Sequence, residues 1–433
     1  MPGQVETLLN MADRVEELVG RFRAGPAADL PPGWTEWPEA VEAHRRIADA
    51  FLDALPTYPE GRFAGRGVVV CGGGRTYFPN TWVCVRMLRH MGCRLPVQLW
   101  HLGAREMDDR MTELAGVLGV ECVDAEAMRA AHPARILNGW ELKAYALVHC
   151  RFEEVLLLDA DNVAVRNPEA LFDAPAYKRA GAVFWPDFGR LEPTRPIWDV
   201  CGVDYRDEPE FESGQVVVDK RRCWAPLQLA LHYNEYSDFY YHYIHGDKET
   251  FHMAFRRLDA PYAMPGLPIL ALDGCMCQHD FEGRRLFQHR NMDKWRLDGS
   301  NRSIYGFEHE DLCRAFLAEL RSYWTGAPYD NPAPNAREAE AVARVAGKRF
   351  LYRRVGFDER RLVLEPGGVI GEGGNVCERL WSVNEVDGRM VLTVLGDNGV
   401  TCHLDLGDDG VWRGRWVAFE QMPVELVEVG DDR

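Results

Sequence analysis

The chain has no run of about 18 apolar residues, so nothing in it would form a membrane-spanning helix. It has no basic cluster either. Its 50 Lys and Arg face 67 Asp and Glu, a formal net charge of −17, and such a surface repels nucleic-acid phosphates. The opening MPGQVETLLNMADRVEELVG carries acids among its apolar residues and lacks the basic flank and unbroken apolar stretch of a secretory signal. The 12 cysteines are scattered and fit reduced buried thiols better than a disulfide framework. A cytoplasmic location is therefore expected, and the Asn301-Arg302-Ser303 sequon carries no meaning without secretion. Solenoid repeats and low-complexity tracts are also missing.

What is present is a foldable chain, 46% hydrophobic and 27% charged, whose 433 residues exceed what one core usually serves. Residues 1–60 read as a helical N-terminal extension, with Leu8, Leu9, Met11, Val15, Leu18 and Val19 near helical spacing and a break at Pro31-Pro32. From there to 325 the pattern alternates strand and helix. Gly67–Cys71 predicts a strand ending in Gly72, Gly73 and Gly74, and Val85, Met87 and Leu88 a helix. Pro96–Leu102 predicts a strand, Asp108–Leu118 and Trp140–Val148 helices, and Val155–Leu158 a strand with no polar face. Such strands joined by helices predict an α/β domain with a mostly parallel sheet covered on both sides. Residues 326–347 are expected to form a linker rich in Pro, Asn and Ala at its start. Residues 348–433 switch to period two, with turn signals at Asp387-Gly388, Asp397-Asn398-Gly399 and Asp408-Asp409-Gly410, and predict a small antiparallel β module.

The most informative stretch is EEVLLLDADNVAV. An apolar strand delivers Asp159 and Asp161, two apart and so on one side of an extended chain, to the strand's carboxyl end, where open α/β sheets place ligands. A hard cation, Mn²⁺ or Mg²⁺, suits two carboxylates and a diphosphate. Two acids capping a strand before a turn would look the same. A calcium loop is excluded, because Val163 and Ala164 stand where a ligand and a glycine are needed. A haloacid-dehalogenase-type phosphatase, with Asp159 as nucleophile and Asp161 as general acid, fits the local pattern, but its nucleophile strand should open the domain and two strands precede this one. A dinucleotide site at GGGRTY fits poorly, since Tyr77 occupies the third glycine position.

Further on, Phe211-Glu212-Ser213-Gly214-Gln215 precedes the strand VVVD, His245-Gly246-Asp247-Lys248-Glu249-Thr250 opens a helix, and Leu286–His289 leads into Arg290-Asn291-Met292-Asp293-Lys294-Trp295. This order of glycine loop, D-x-D, S-G, G-D-K-E and late His with Lys-Trp resembles the GT-A glycosyltransferases, specifically the fungal-type α-mannosyltransferases of the MNN1/MNN2 kind and more distantly the glycogenin-like family, over residues 65 to 320. The resemblance implies a Rossmann-like GT-A domain and a nucleotide-diphosphate-sugar donor, GDP-mannose ahead of a UDP-hexose. It implies metal ligation by Asp159, Asp161 and His289, with Asp159 also on the donor. Gly72, Gly73, Arg75 and Tyr77 would receive base and ribose. Ser213, Gly214 and Gln215 would line the sugar pocket, and Lys143, Lys248 and Lys294 would contact the donor. Asp247, then Glu249, with Gln215, are the catalytic candidates, because a carboxylate or amide stabilises the positive charge that develops at the anomeric carbon. The resembled family retains anomeric configuration.

Cys275-Met276-Cys277 with His279 lacks a fourth ligand at zinc spacing and reads as buried thiols. The aromatic run Tyr233, Tyr236, Phe239, Tyr240, Tyr241 and Tyr243 could stack on sugars, but core packing is the plainer account. The β module, with Trp381, Trp412 and Trp416, could bind a glycan, dimerise the chain or simply carry a tryptophan core. Three classes of function follow: a metal-dependent hexosyltransferase acting on a glycan, metabolite or protein acceptor, a phosphatase of the dehalogenase type, or a non-catalytic glycan-binding protein.

Overall fold

The computed structural model describes residues 38–104, 106–136, 139–297, 301–324, 335–386, 389–396, 399–416 and 422–430. The helical periodicity read over residues 1–37 lies outside them; the rest of the expected N-terminal extension contains the helix Pro38–Asp53. The chain divides into two compact units. One comprises residues 38–136 and 140–326, and the other consists, among described residues, of Gly139 and the stretch beyond 334.

In the first unit the strands are β1 Arg66–Cys71, β2 Val97–His101, β3 Val120–Asp124, β4 Glu154–Asp159, β5 Asn162–Ala164, β6 Ala182–Arg190, β7 Pro209–Asp219, β8 Leu270–Leu272, β9 Cys275–His279 and β10 Arg285–His289. Six form one sheet in the order β3-β2-β1-β4-β7-β6. β1, β2, β3 and β4 pair in parallel, while β7 runs antiparallel to both β4 and β6. The mostly parallel α/β sheet expected from the sequence is thus the one observed. Val155–Leu158 are fully buried, which is why this strand shows no alternation. The helix expected over Asp108–Leu118 spans Asp109–Val117, with the Asp108 carboxylate accepting from Met111 N at 2.7 Å as its N-cap.

A second, antiparallel sheet, β5-β10-β9-β8, was not foreseen. Its strands are three to five residues long, too short to advertise a period. It matters because β5 follows directly on the D-x-D segment and pairs with β10, setting His289 opposite Asn162.

The second unit is a closed eight-stranded barrel. Every neighbouring pair is antiparallel, and the strand Lys348–Arg354 pairs with Pro423–Glu428 to close it. A capping box at Asn335 and Glu338 starts the helix Ala336–Val345, so that part of the expected linker is helical. Its Ala341 and Val345 pack into the barrel core. Trp381, Trp412 and Trp416 are buried there, which commits them to packing and leaves no indole face for stacking on a sugar. Asp387-Gly388 and Asp397-Asn398 lie outside the described residues; the turn at 408–410 is present.

Candidate active site

β4 ends at Asp159, and its neighbour β1 ends at Cys71, followed at once by the glycines. The two connections touch. A Cβ at Gly72 would stand 2.9 Å from Ala160 Cβ and 2.7 Å from Thr81 Oγ1, and one at Gly73 would meet Glu106 O at 2.8 Å. Glycine is required here for close approach of backbone segments, and Gly74, at φ +63°, for the turn into the helix Gly74–His90. Arg75 opens that helix, and its side chain is outside the described set. Burial first, then the charges of Asp161 and Asp159, push the Tyr77 phenol pKa up.

Asp159 and Asp161 do point to one side, where both meet His289. Its Nε2 is 3.2 Å from Asp161 Oδ1 and 3.7 Å from Asp159 Oδ2. The antiparallel sheet supplies this meeting, through the β5–β10 pairing and the Arg290 N–H donated to Asp161 O at 3.0 Å. Two lysines complete the arrangement. Lys143 is a buried residue of the helix Glu141–His149, not a solvated one; its Nζ lies 2.9 Å from Asp159 Oδ1, 3.3 Å from Asp247 Oδ1 and 3.2 Å from Ser213 Oγ. Lys294 Nζ lies 2.8 Å from Asp161 Oδ2.

Lys294 is placed by residues that the sequence had left without a role. Trp295 donates its N–H to Asn80 Oδ1 at 2.8 Å and accepts from Asn80 Nδ2 at 3.1 Å, pinning the segment to the helix behind the glycine loop. The buried Arg290 guanidinium stacks on the Trp295 ring at 3.9 Å. The motif itself, His followed by Lys-Trp, was the only signal for this.

The electrostatics follow from crowding the acids Asp159, Asp161, Asp247 and Glu212 and the cations Lys143, His289 and Lys294 into a largely buried place. Burial alone disfavours the His289 imidazolium, but Asp161 and Glu212 outweigh it and raise its pKa to about 10. Burial would raise Asp161, yet Lys294 and His289 hold its carboxyl well below the usual range. Asp159 stays raised by burial, against the pull of Lys143. Among the described residues, one cluster has the ligand types and spacing of a metal site: Asp159, Glu212 and His289, each with an atom within 4.8 Å of the others. Carboxylate and imidazole suit Mn²⁺ and Mg²⁺ differently, the imidazole favouring Mn²⁺. The residues fit such an ion.

The remaining candidates are distributed unevenly. Asp247 comes within reach of Lys143, as above. Gln215 is fully buried, and its Oε1 accepts from Asn162 Nδ2 at 2.7 Å, while Asn162 also donates to Gly214 O at 2.9 Å. Lys248 is held by Asp187, by Glu210 at 3.1 Å and by Glu249 at 3.1 Å. Burial pushes the Glu249 carboxyl up to about 8, with Lys248 opposing. All twelve cysteines are free, and Cys275 and Cys277 are buried thiols. In the aromatic run, Tyr236, Phe239 and Tyr240 pack around the buried His44 ring, so this part is core.

Residues 65–208 and 203–272 match the family model described as "Mannosyltransferase putative". Over its α/β unit the chain resembles a mannosyltransferase. Among curated proteins it is 28% identical over 280 residues to Alpha-1,2-mannosyltransferase MNN24 of Candida albicans, covering 52% of this chain and 39% of that protein. It is 26% identical over 305 residues to Alpha-1,2-mannosyltransferase MNN2 of Saccharomyces cerevisiae, covering 58% and 50%. The chain therefore spans half or less of the length of these two relatives. Among solved structures, the apo bifunctional glycosyltransferase WbbM aligns at 10% identity and TM-score 0.36 over 48% of this chain and 40% of that one. The galactosyltransferase LgtC, solved with donor and acceptor sugar analogues, aligns at 15% and 0.33 over 46% and 73%. The resemblance expected from the motif order and the curated relatives agree on fungal mannosyltransferases.

Proposed function

We propose that this chain transfers a hexose, mannose first among candidates, from a nucleoside-diphosphate sugar to a hydroxyl-bearing acceptor with retention of anomeric configuration. One observation carries the proposal: Asp159, Asp161, His289, Lys143 and Lys294 converge at the carboxyl end of β4. The α-1,2-mannosyl activity named for the relatives supports mannose and a glycan acceptor; a metabolite or protein side chain is the other acceptor class.

Asp159, Asp161 and His289 would hold the ion. A bound Mn²⁺ or Mg²⁺ supplies neutralisation of the charge that grows on a departing diphosphate. The chain's own residues do the rest. Lys294 would share diphosphate charge as a point cation. Asp247, anchored by Lys143, would stabilise positive charge at the anomeric carbon. In the transfer, the bond from that carbon to the phosphate oxygen breaks with its electron pair leaving on the nucleoside diphosphate. The acceptor oxygen bonds to the carbon, and its proton passes to the departing phosphate. Cytoplasm is the proposed compartment, supported by twelve free thiols.

The test is thermal unfolding of wild type and Asp159→Ala with GDP, UDP, CDP and ADP, each with and without Mn²⁺. A nucleotide at about a hundred times its dissociation constant adds about 2.7 kcal/mol. One nucleotide should stabilise wild type, only with metal, and not the variant. No shift with any nucleotide at millimolar concentration, together with Mg²⁺-dependent hydrolysis of p-nitrophenyl phosphate, would replace the proposal by the phosphatase alternative.

A further inference from the structure

We infer that Glu212 is the positioning residue of the metal centre: it fixes the tautomer and orientation of His289 and does not itself bind the ion. The inference rests on the metal-dependent reading above and adds a residue to it. Glu212 is one of three side chains close enough together to share an ion, so a role as ligand must be weighed against a role behind the ligand.

Direction decides between them. Glu212 Oε1 lies 3.3 Å from Nδ1 of His289, an ion-pair contact that leaves this nitrogen still to be given a hydrogen-bond partner, whereas both aspartates approach Nε2. The two ring nitrogens point away from each other in the imidazole plane, so Nε2, on the side of Asp159 and Asp161, would be the nitrogen that takes an ion, and Glu212 stands on the other side of the ring. The same Oε1 is already committed, accepting the Gly214 N–H at 2.8 Å. A carboxylate that receives the second ring N–H of a ligating histidine selects the tautomer and raises the basicity of the nitrogen facing the metal. The backbone is shaped for this contact. A Cβ at Gly214 would stand 2.6 Å from both Glu212 Oε1 and His289 Nδ1, so only glycine leaves Glu212 and the ring side by side.

The experiment measures Mn²⁺ affinity by calorimetry, and the nitrogen coupling of bound Mn²⁺ by electron spin echo modulation, on wild type, Glu212→Ala, Glu212→Gln, Gly214→Ala and Asp159→Asn. Removing the carboxylate should weaken Mn²⁺ about 10- to 100-fold and abolish the imidazole coupling, with Gly214→Ala acting the same way. Glu212→Gln keeps an oxygen that accepts from Nδ1–H, and should restore the coupling and bring affinity back to within about three-fold. Glu212→Gln losing affinity as severely as Asp159→Asn, with the nitrogen coupling intact, would make Glu212 a ligand and overturn the inference. Wild-type behaviour in Glu212→Ala would overturn it too. Absence of Mn²⁺ binding in wild type would instead remove the metal-dependent reading on which it stands, and the inference with it.

Discussion

Metal binding to this site should expel a proton, and the amount follows from His289. A histidine binds a metal only as the neutral imidazole, yet Asp161 and Glu212 raise its pKa to about 10. Throughout the neutral range the ring therefore carries a proton that an incoming Mn²⁺ must displace. Below the raised pKa each pH unit adds about 1.36 kcal/mol to that cost, so Mn²⁺ affinity should rise about ten-fold per unit between about pH 7 and about pH 9. Calorimetric titration in two buffers of different ionisation enthalpy counts the protons directly, and about one should leave per ion bound. Affinity flat across that interval, with no buffer-dependent heat, would refute the reasoning. The same proton governs stability. Because the folded value lies above the ordinary 6.5, the contribution of His289 is complete below 6.5 and is lost as pH rises through about 10. Glu249, pushed up to about 8, has the same sign: its protonated folded form favours the native state less and less as pH climbs past its unfolded value. The metal-free midpoint should accordingly fall from about pH 7 towards about pH 9.

Two further outcomes are expected. Lys143→Met leaves the half-buried Asp159 and the buried Asp247 without their shared cation, a loss of about 3–5 kcal/mol by urea unfolding that Asp247→Asn should partly relieve; an unchanged midpoint would show that water or other donors already satisfy these carboxylates. Trp412→Ala, in the barrel core at 3% exposure, should cost about 3–5 kcal/mol in the same assay, whereas a neutral result would mean that the indole is not part of the packing.

Much of the fold was legible because it is written in local pattern. Val155–Leu158 are apolar on both faces and so had to be an interior strand. Asp108 stands where an N-cap belongs, and the C-terminal alternation with its turn signals had to be antiparallel β. The D-x-D pair was legible for the same reason: spacing of two on an extended chain puts both carboxylates on one side. The helix Ala336–Val345 was missed because the Pro and Asn before it outweighed its own good helix formers.

The amino-acid sequence by itself determined which segments become strands, where the acids leave the sheet and which lysines and histidines stand available. The tertiary structure decided their partners. Whether Lys143 is a solvated helix lysine or the buried cation between Asp159 and Asp247, and whether Glu212 faces His289, depends on chain segments far apart in sequence meeting through the β4–β7 and β5–β10 pairings. Ion pairing and burial act through space, and no local period records them. Closure of the barrel belongs to the same class, because period two specifies each strand's faces while only the pairing of the first strand with the last removes the open edges.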